Sequence, residues 1–179
     1  METAEQIRKI EIGRFEWRRS QLTCLTLVFW IAITQGLLAQ EDKSVVADAD
    51  GSLKLTAENG EGIGPDIQYM PEWKAFGWFT AQDRVEWMVE VPKTGKYDVY
   101  LEWSVSDEEA GKYFVFEAGD QKLTKKVGKS GSWETFKTKK VGSIQLNQGK
   151  QKMVFKPRDN FKGEALLDLR ELVLVPRGA

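Results

Sequence analysis

The chain has 179 residues, with 26 basic and 27 acidic side chains, no histidine and a single cysteine. A formal charge of −1 gives no excess of basic side chains for a phosphate backbone, so nothing favours nucleic acid and none is expected as a partner. The lack of histidine removes Ser-His-Asp and Cys-His catalysis, histidine-ligated zinc and histidine general bases together, leaving carboxylate or lysine chemistry as the enzymatic options.

At the N-terminus, Arg8, Lys9, Arg14, Arg18 and Arg19 precede an apolar stretch from Leu22 to Leu38 that runs into Ala39-Gln40. This layout reads as a secretory signal cleaved after Ala39, although Leu37 is larger than the small residue usual at such a site. The competing reading is an uncleaved anchor. The stretch is near the lower limit of about 17 residues for a span, but Thr23, Thr26, Thr34, Gln35 and Gly36 dilute its apolar character. Cys24 opens the stretch, whereas a lipid-attachment cysteine would stand at its end.

Without residues 1–39, which carry five basic and four acidic side chains, 21 basic and 23 acidic remain, a formal charge of −2 with no cysteine. Such a protein stands on its hydrophobic core, helped at most by a metal, and not on disulfides. The expected location is secreted, periplasmic or cell-surface, with membrane contact only if the leader stays attached. Residues 40–51 are polar and short-sided, a linker, and residues 52–179 are long enough for one domain with its own core.

Within that domain the apolar period is two. Val85, Trp87, Val89 and Val91 alternate with Arg84, Glu86, Met88 and Glu90, and the run stops at Pro92, where a ladder donor is lost. Pro92 to Gly95 reads as a hairpin loop. Tyr97, Val99, Leu101, Trp103 and Val105 then form a second half-buried strand, and Trp87 and Trp103 fall on the core side. Shorter strands are predicted at 113–118, 122–127, 133–140, 144–146, 151–156 and 166–175, separated by Gly119-Asp120, Gly128 to Gly131 and Asn147 to Gly149. No stretch after residue 40 sustains a helical period. The expected fold is all-β, an antiparallel β-sandwich.

The order of these elements carries a resemblance. LTAENG at Leu55 to Gly60, VEWMVEVPKTGKYDVYL up to Leu101, GSWETFKTKKVGSIQLNQGKQKMVF from Gly131 to Phe155, and the closing LLDLRELVLV resemble the carbohydrate-binding modules of the family 6 and family 35 type. The resemblance runs from about Leu53 to Val175 and implies a jelly roll with a sugar site at its loop end. There, aromatic rings would lie against the apolar face of a pyranose. It places Trp78 and Trp133 in that site. The aromatic segment Ile63 to Phe79 adds Trp73 as a further contact. For the asparagine that many members present before the closing strand, Leu166 falls at the position and Asn160 is the nearest candidate. Where many members carry a tryptophan for a second site on the sandwich face, this chain has Arg84, so no such site is expected. The resemblance also implies a possible structural calcium at Glu58 and Asp168, with Thr56 replacing a further family carboxylate; no other cofactor is required.

Independently of the resemblance, alternation along a strand through Trp133 groups it with Thr135, Lys137 and Lys139, opposite Phe136. Three functions follow. The first is a non-catalytic module that binds a polysaccharide or glycan. The second is a structural or protein-interaction sandwich that has lost the sugar site. The third is a carboxylate enzyme built on Asp107, Glu108 and Glu109, a cluster that adjacent positions on a loop also explain as a solvated turn.

Overall fold

The computed structural model describes residues 44–178. Lys43–Ala179 form a compact unit with its own core. Its strands are β1 (Leu53–Thr56), β2 (Glu61–Ile63), β3 (Gln68–Met70), β4 (Ala75–Gly77), β5 (Arg84–Val91), β6 (Gly95–Ser104), β7 (Tyr113–Ala118), β8 (Gln121–Lys126), β9 (Lys137–Leu146), β10 (Gly149–Pro157) and β11 (Asp168–Pro176). They form two antiparallel sheets, one ordered β3-β4-β11-β6-β9 with β1 also on β11, the other β2-β5-β10-β7-β8. The predicted all-β antiparallel sandwich is the fold observed, and the signal segment lies outside the described residues.

The core is the two inner faces that the period-two pattern supplies. Val85, Trp87, Val89 and Val91 of β5 face Tyr97, Val99, Leu101 and Trp103 of β6, and Phe114, Phe116, Met153 and Phe155 fill the space between. Both core tryptophans satisfy their indole donors. Trp87 Nε1 donates to the Thr56 carbonyl and Trp103 Nε1 to that of Gly128, each at 2.9 Å, which removes the cost of burying an N–H.

Three local expectations change. Pro92 to Gly95 is not a hairpin loop: β5 pairs with β2 and β10, β6 with β11 and β9, so the turn carries the chain from one sheet to the other. Both strands bury the same alternating set, and an arch between sheets brings those faces together. The runs at 133–140 and 144–146 become a single strand, β9, beginning at Lys137 and passing through a bulge opposite Val99/Tyr100. A side chain at Gly142 in that bulge would place its Cβ 2.7 Å from Leu123 Cδ1 of β8. Finally, the expected linker joins the sandwich by Val45, which is buried, bridges Val89 in parallel, and exchanges backbone hydrogen bonds with Met88 and Glu90 at 2.8 Å.

Candidate functional site

Three separate segments meet at one end of the sandwich. The first, between β2 and β5, contains the β3-β4 hairpin and is knotted by the buried Asp83. Its Oδ2 accepts from the Thr80 N–H and hydroxyl at 2.7 and 2.8 Å, and its Oδ1 from the Asp66 N–H at 3.3 Å. The aromatic run is therefore divided: Phe76 and Phe79 are buried, Tyr69 meets Phe76 edge-on, and Trp73 and Trp78 are exposed.

Trp78 has φ 58° and is 62% exposed. A left-handed backbone costs a non-glycine residue about 1–2 kcal/mol, and strain of this kind concentrates where a side chain must be aimed. Trp73 is held by different means. Its ring stacks on Phe136 at 6.2 Å, the Arg170 guanidinium covers Phe136 at 3.5 Å, and Arg170 Nε donates to the Trp73 carbonyl at 3.1 Å.

The second segment is the turn before β9. Trp133 stands there and not within a strand, so alternation does not group it with Lys137 and Lys139; a Ser132–Thr135 turn sets its position (Thr135 N to Ser132 O, 3.2 Å). Ser104 Oγ donates to the Trp133 carbonyl at 2.6 Å, anchoring the turn to the end of β6. The third segment is the loop before β11. Lys112 Nζ donates to the Ala165 carbonyl at 2.7 Å and pairs with the Glu109 carboxylate, which accepts the Glu164 N–H at 3.2 Å. The Leu166 N–H bonds the Phe79 carbonyl at 2.7 Å and ties this loop to the first segment.

Between the segments lies a cavity of about 250 Å³ lined by Met70, Trp73, Trp78, Trp133, Glu134, Glu164, Ala165 and Asp168. Gly77 opens its floor, since a Cβ there would stand 2.6 Å from Met70 Cε and 2.8 Å from Asp168 Oδ1. Trp73, Trp78 and Trp133, assigned to one site from sequence, line this one cavity. Asn160 is exposed on the third segment and does not line it, because the bonds that fasten that loop fall at 164 to 166. Met70, Glu134, Glu164 and Ala165 were not anticipated.

Asp168 belongs to the cavity as well. Burial pushes its carboxyl up to about 7, against a weak lowering by Ser104 and with Glu134 adding to the rise. Glu58 instead faces Lys74 at 3.6 Å. Calcium takes about six to eight oxygens with several charges among them. Among the described residues no three carboxylates gather where they could hold a metal ion, and Glu58 and Asp168 line different cavities, so the two do not fit a shared calcium.

Two of the three carboxylates of the expected catalytic cluster, Asp107 and Glu109, fasten loops. Asp107 accepts the Gly131 N–H at 3.1 Å, and Lys112 holds the Glu109 carboxyl below the usual carboxylate range, the reverse of a general acid. On the face of the five-stranded sheet, Arg84 pairs with Glu86 at 2.7 Å, Glu86 with Lys152 at 2.6 Å, and Glu117 with Lys122 and Lys156 at 2.9 Å.

No family model and no curated protein matches the chain. Solved structures do. A family 35 carbohydrate-binding module from Clostridium thermocellum superposes with a TM-score of 0.56 at 16% identity, covering 68% of this chain and 97% of that one. The chain has the fold of the family 6 and family 35 carbohydrate-binding modules. The C-terminal family 6 module of LamC, a marine laminarinase from Zobellia galactanivorans, matches with a TM-score of 0.57 at 15% identity over 69% of this chain and 98% of that module. An exo-β-1,3-galactanase from Phanerochaete chrysosporium matches at 19% identity and a TM-score of 0.56, over 69% of this chain and 29% of the enzyme.

Proposed function

We infer that this chain is a secreted, non-catalytic module that binds a polysaccharide or glycoconjugate in the cavity formed by Trp73, Trp78 and Trp133. One observation carries the reading: three indoles from two loop segments converge on one cavity beside a half-buried carboxyl. Indole rings offer broad, rigid apolar surface with little rotamer entropy to lose, which suits the flat face of a pyranose, and Asp168, Glu134 and Glu164 offer acceptors for its hydroxyls. The neighbours in fold are themselves named as carbohydrate-binding modules, which supports the same reading. The basic leader and apolar stretch support export.

A single site of this size corresponds to a dissociation constant of roughly 10 μM to 1 mM, about −7 to −4 kcal/mol. The test is affinity electrophoresis of residues 41–179 through a panel of soluble polysaccharides, beside Trp133→Ala and Trp78→Ala variants checked for folding. The reading expects retardation by a glycan that either substitution abolishes. Migration unchanged by every glycan would move the assignment to a protein-interaction sandwich, for which the displacement of Asn160 from the cavity and the ion-paired Arg84 face are the structural support.

A further inference from the structure

We propose that the Trp73–Trp78–Trp133 cavity selects an amino sugar, a glycan unit whose free amine is protonated, over neutral and acidic counterparts. The inference rests on the glycan reading of the cavity and adds the charge of its occupant.

Every ionisable side chain lining the cavity is acidic: Glu134, Glu164 and Asp168. The whole chain carries 26 basic side chains against 27 acidic ones, so composition alone does not make a wall of one sign. Arg170, the cation that reaches the Trp73 carbonyl, is otherwise engaged: it covers Phe136 and pairs with Glu102 at 2.8 Å. An ionised carboxylate only accepts hydrogen bonds, and an ammonium only donates, three times over. A neutral hydroxyl meeting the same wall leaves its accepting capacity unused.

The Asp168 carboxyl is open to such a donor. Ser104 Oγ lies 3.5 Å from Asp168 Oδ2, long for a hydroxyl bond, and its hydrogen is directed at the Trp133 carbonyl at 2.6 Å. Burial keeps this carboxyl partly protonated near neutrality, and a bound cation offsets that burial by ionising it. Glu134, beside it, is held below the usual carboxylate range by Ser132 and is charged at neutral pH. The indole faces add attraction for the same charge, because a cation within about 6 Å of a tryptophan ring is drawn to its negative face. Uronate or sulfate groups would meet like charge on the wall, because the two cations that border it, Arg170 at the Trp73 carbonyl and Lys112 at the Ala165 carbonyl, are paired with Glu102 and Glu109.

The test is calorimetric titration of residues 41–179 with β-1,4-linked oligomers of glucosamine, N-acetylglucosamine and glucose of equal length, at about pH 6, where an ordinary amine is protonated. We expect the glucosamine oligomer to bind at least ten-fold more tightly than either neutral one. Asp168→Asn and Glu134→Gln should reduce that preference to three-fold or less; Glu134 lies in an exposed turn, so its variant keeps the fold. Trp78→Ala should abolish binding of the glucosamine oligomer, which separates the cavity from general attraction to an acidic surface. Equal or tighter binding of a neutral oligomer, or an amine preference that survives Trp78→Ala, overturns the amino-sugar selection while leaving a glycan site standing. Failure of all three oligomers and of every polysaccharide in the electrophoresis panel overturns the glycan reading itself.

Discussion

The Asp168 carboxyl stands 3.5 Å from the Ser104 hydroxyl, which already donates at 2.6 Å to the Trp133 carbonyl. Ser104 thus secures the tryptophan and leaves the acid poorly held. Burial then raises the Asp168 pKa from its ordinary 3.8 to about 7. In this range the folded protein holds a proton that the unfolded chain has lost, so stability falls as pH rises from about 4 to about 7. The penalty is complete above pH 7 and absent below the unfolded value. Asp168→Asn should be more stable than the wild type by up to about 4 kcal/mol at pH 8, and the gain should vanish at pH 4. Urea unfolding at the two pH values measures this; equal gains at both would contradict it.

Trp78 holds a left-handed backbone while most of its ring is in solvent. Trp78→Gly should therefore relieve about 1 kcal/mol of strain and lose little burial, giving a protein at least as stable as the wild type that no longer binds glycan. Thermal melts and affinity electrophoresis of one preparation report both effects. Clear destabilisation would mean that the ring supports the fold instead.

Lys112 does not itself line the cavity, yet through the Ala165 carbonyl and Glu109 it carries the loop that supplies Glu164 and Ala165. Its side chain is 10% exposed and that of Glu109 21%, so Lys112→Met leaves a largely buried carboxylate without its cation, at a cost of about 3 kcal/mol. Hydrogen exchange at the Glu164 and Leu166 amides should accelerate more than in the core strands. Uniform acceleration across the sandwich would contradict a local role.

Lys137 and Lys139 pair in register with Trp103 and Leu101, two core residues, and so stand on the core-side face of β9, the edge strand of its sheet, where it runs out past the core and leaves both exposed. Inward-facing charge at a sheet edge discourages pairing with another chain. Replacing both with valine should produce concentration-dependent self-association, visible in sedimentation velocity, while the wild type stays unchanged. A double variant that sediments like the wild type would remove this role.

Much of the sandwich was readable because burial on one face imposes alternation, which β5 and β6 display without interruption. Sheet membership was not: alternation records which face is buried, and β5 followed by β6 looks the same whether they pair or arch across the core. β9 read as two strands because the bulge at Gly142 breaks the period, and the reason for glycine there is the approach of Leu123 from β8. Trp78 and Trp133 were placed by resemblance. The resemblance implies a metal at Asp168, since a position in the closing strand says nothing of the loops that fold around it. Only tertiary structure brings Met70, Glu134 and Glu164 beside that carboxyl.

The indole N–H groups give the most direct test that this cavity holds the glycan. Trp87 and Trp103 are buried with indoles bonded to carbonyls, whereas Trp73, Trp78 and Trp133 line the cavity, so the protein contains its own controls. In a nitrogen-15 labelled sample titrated with a glycan that retards the wild type, the indole signals of Trp73, Trp78 and Trp133 should shift together along one binding curve while those of Trp87 and Trp103 hold still. Saturable shifts at Arg84 and its ion-paired face, with the three cavity indoles unmoved, would contradict the account.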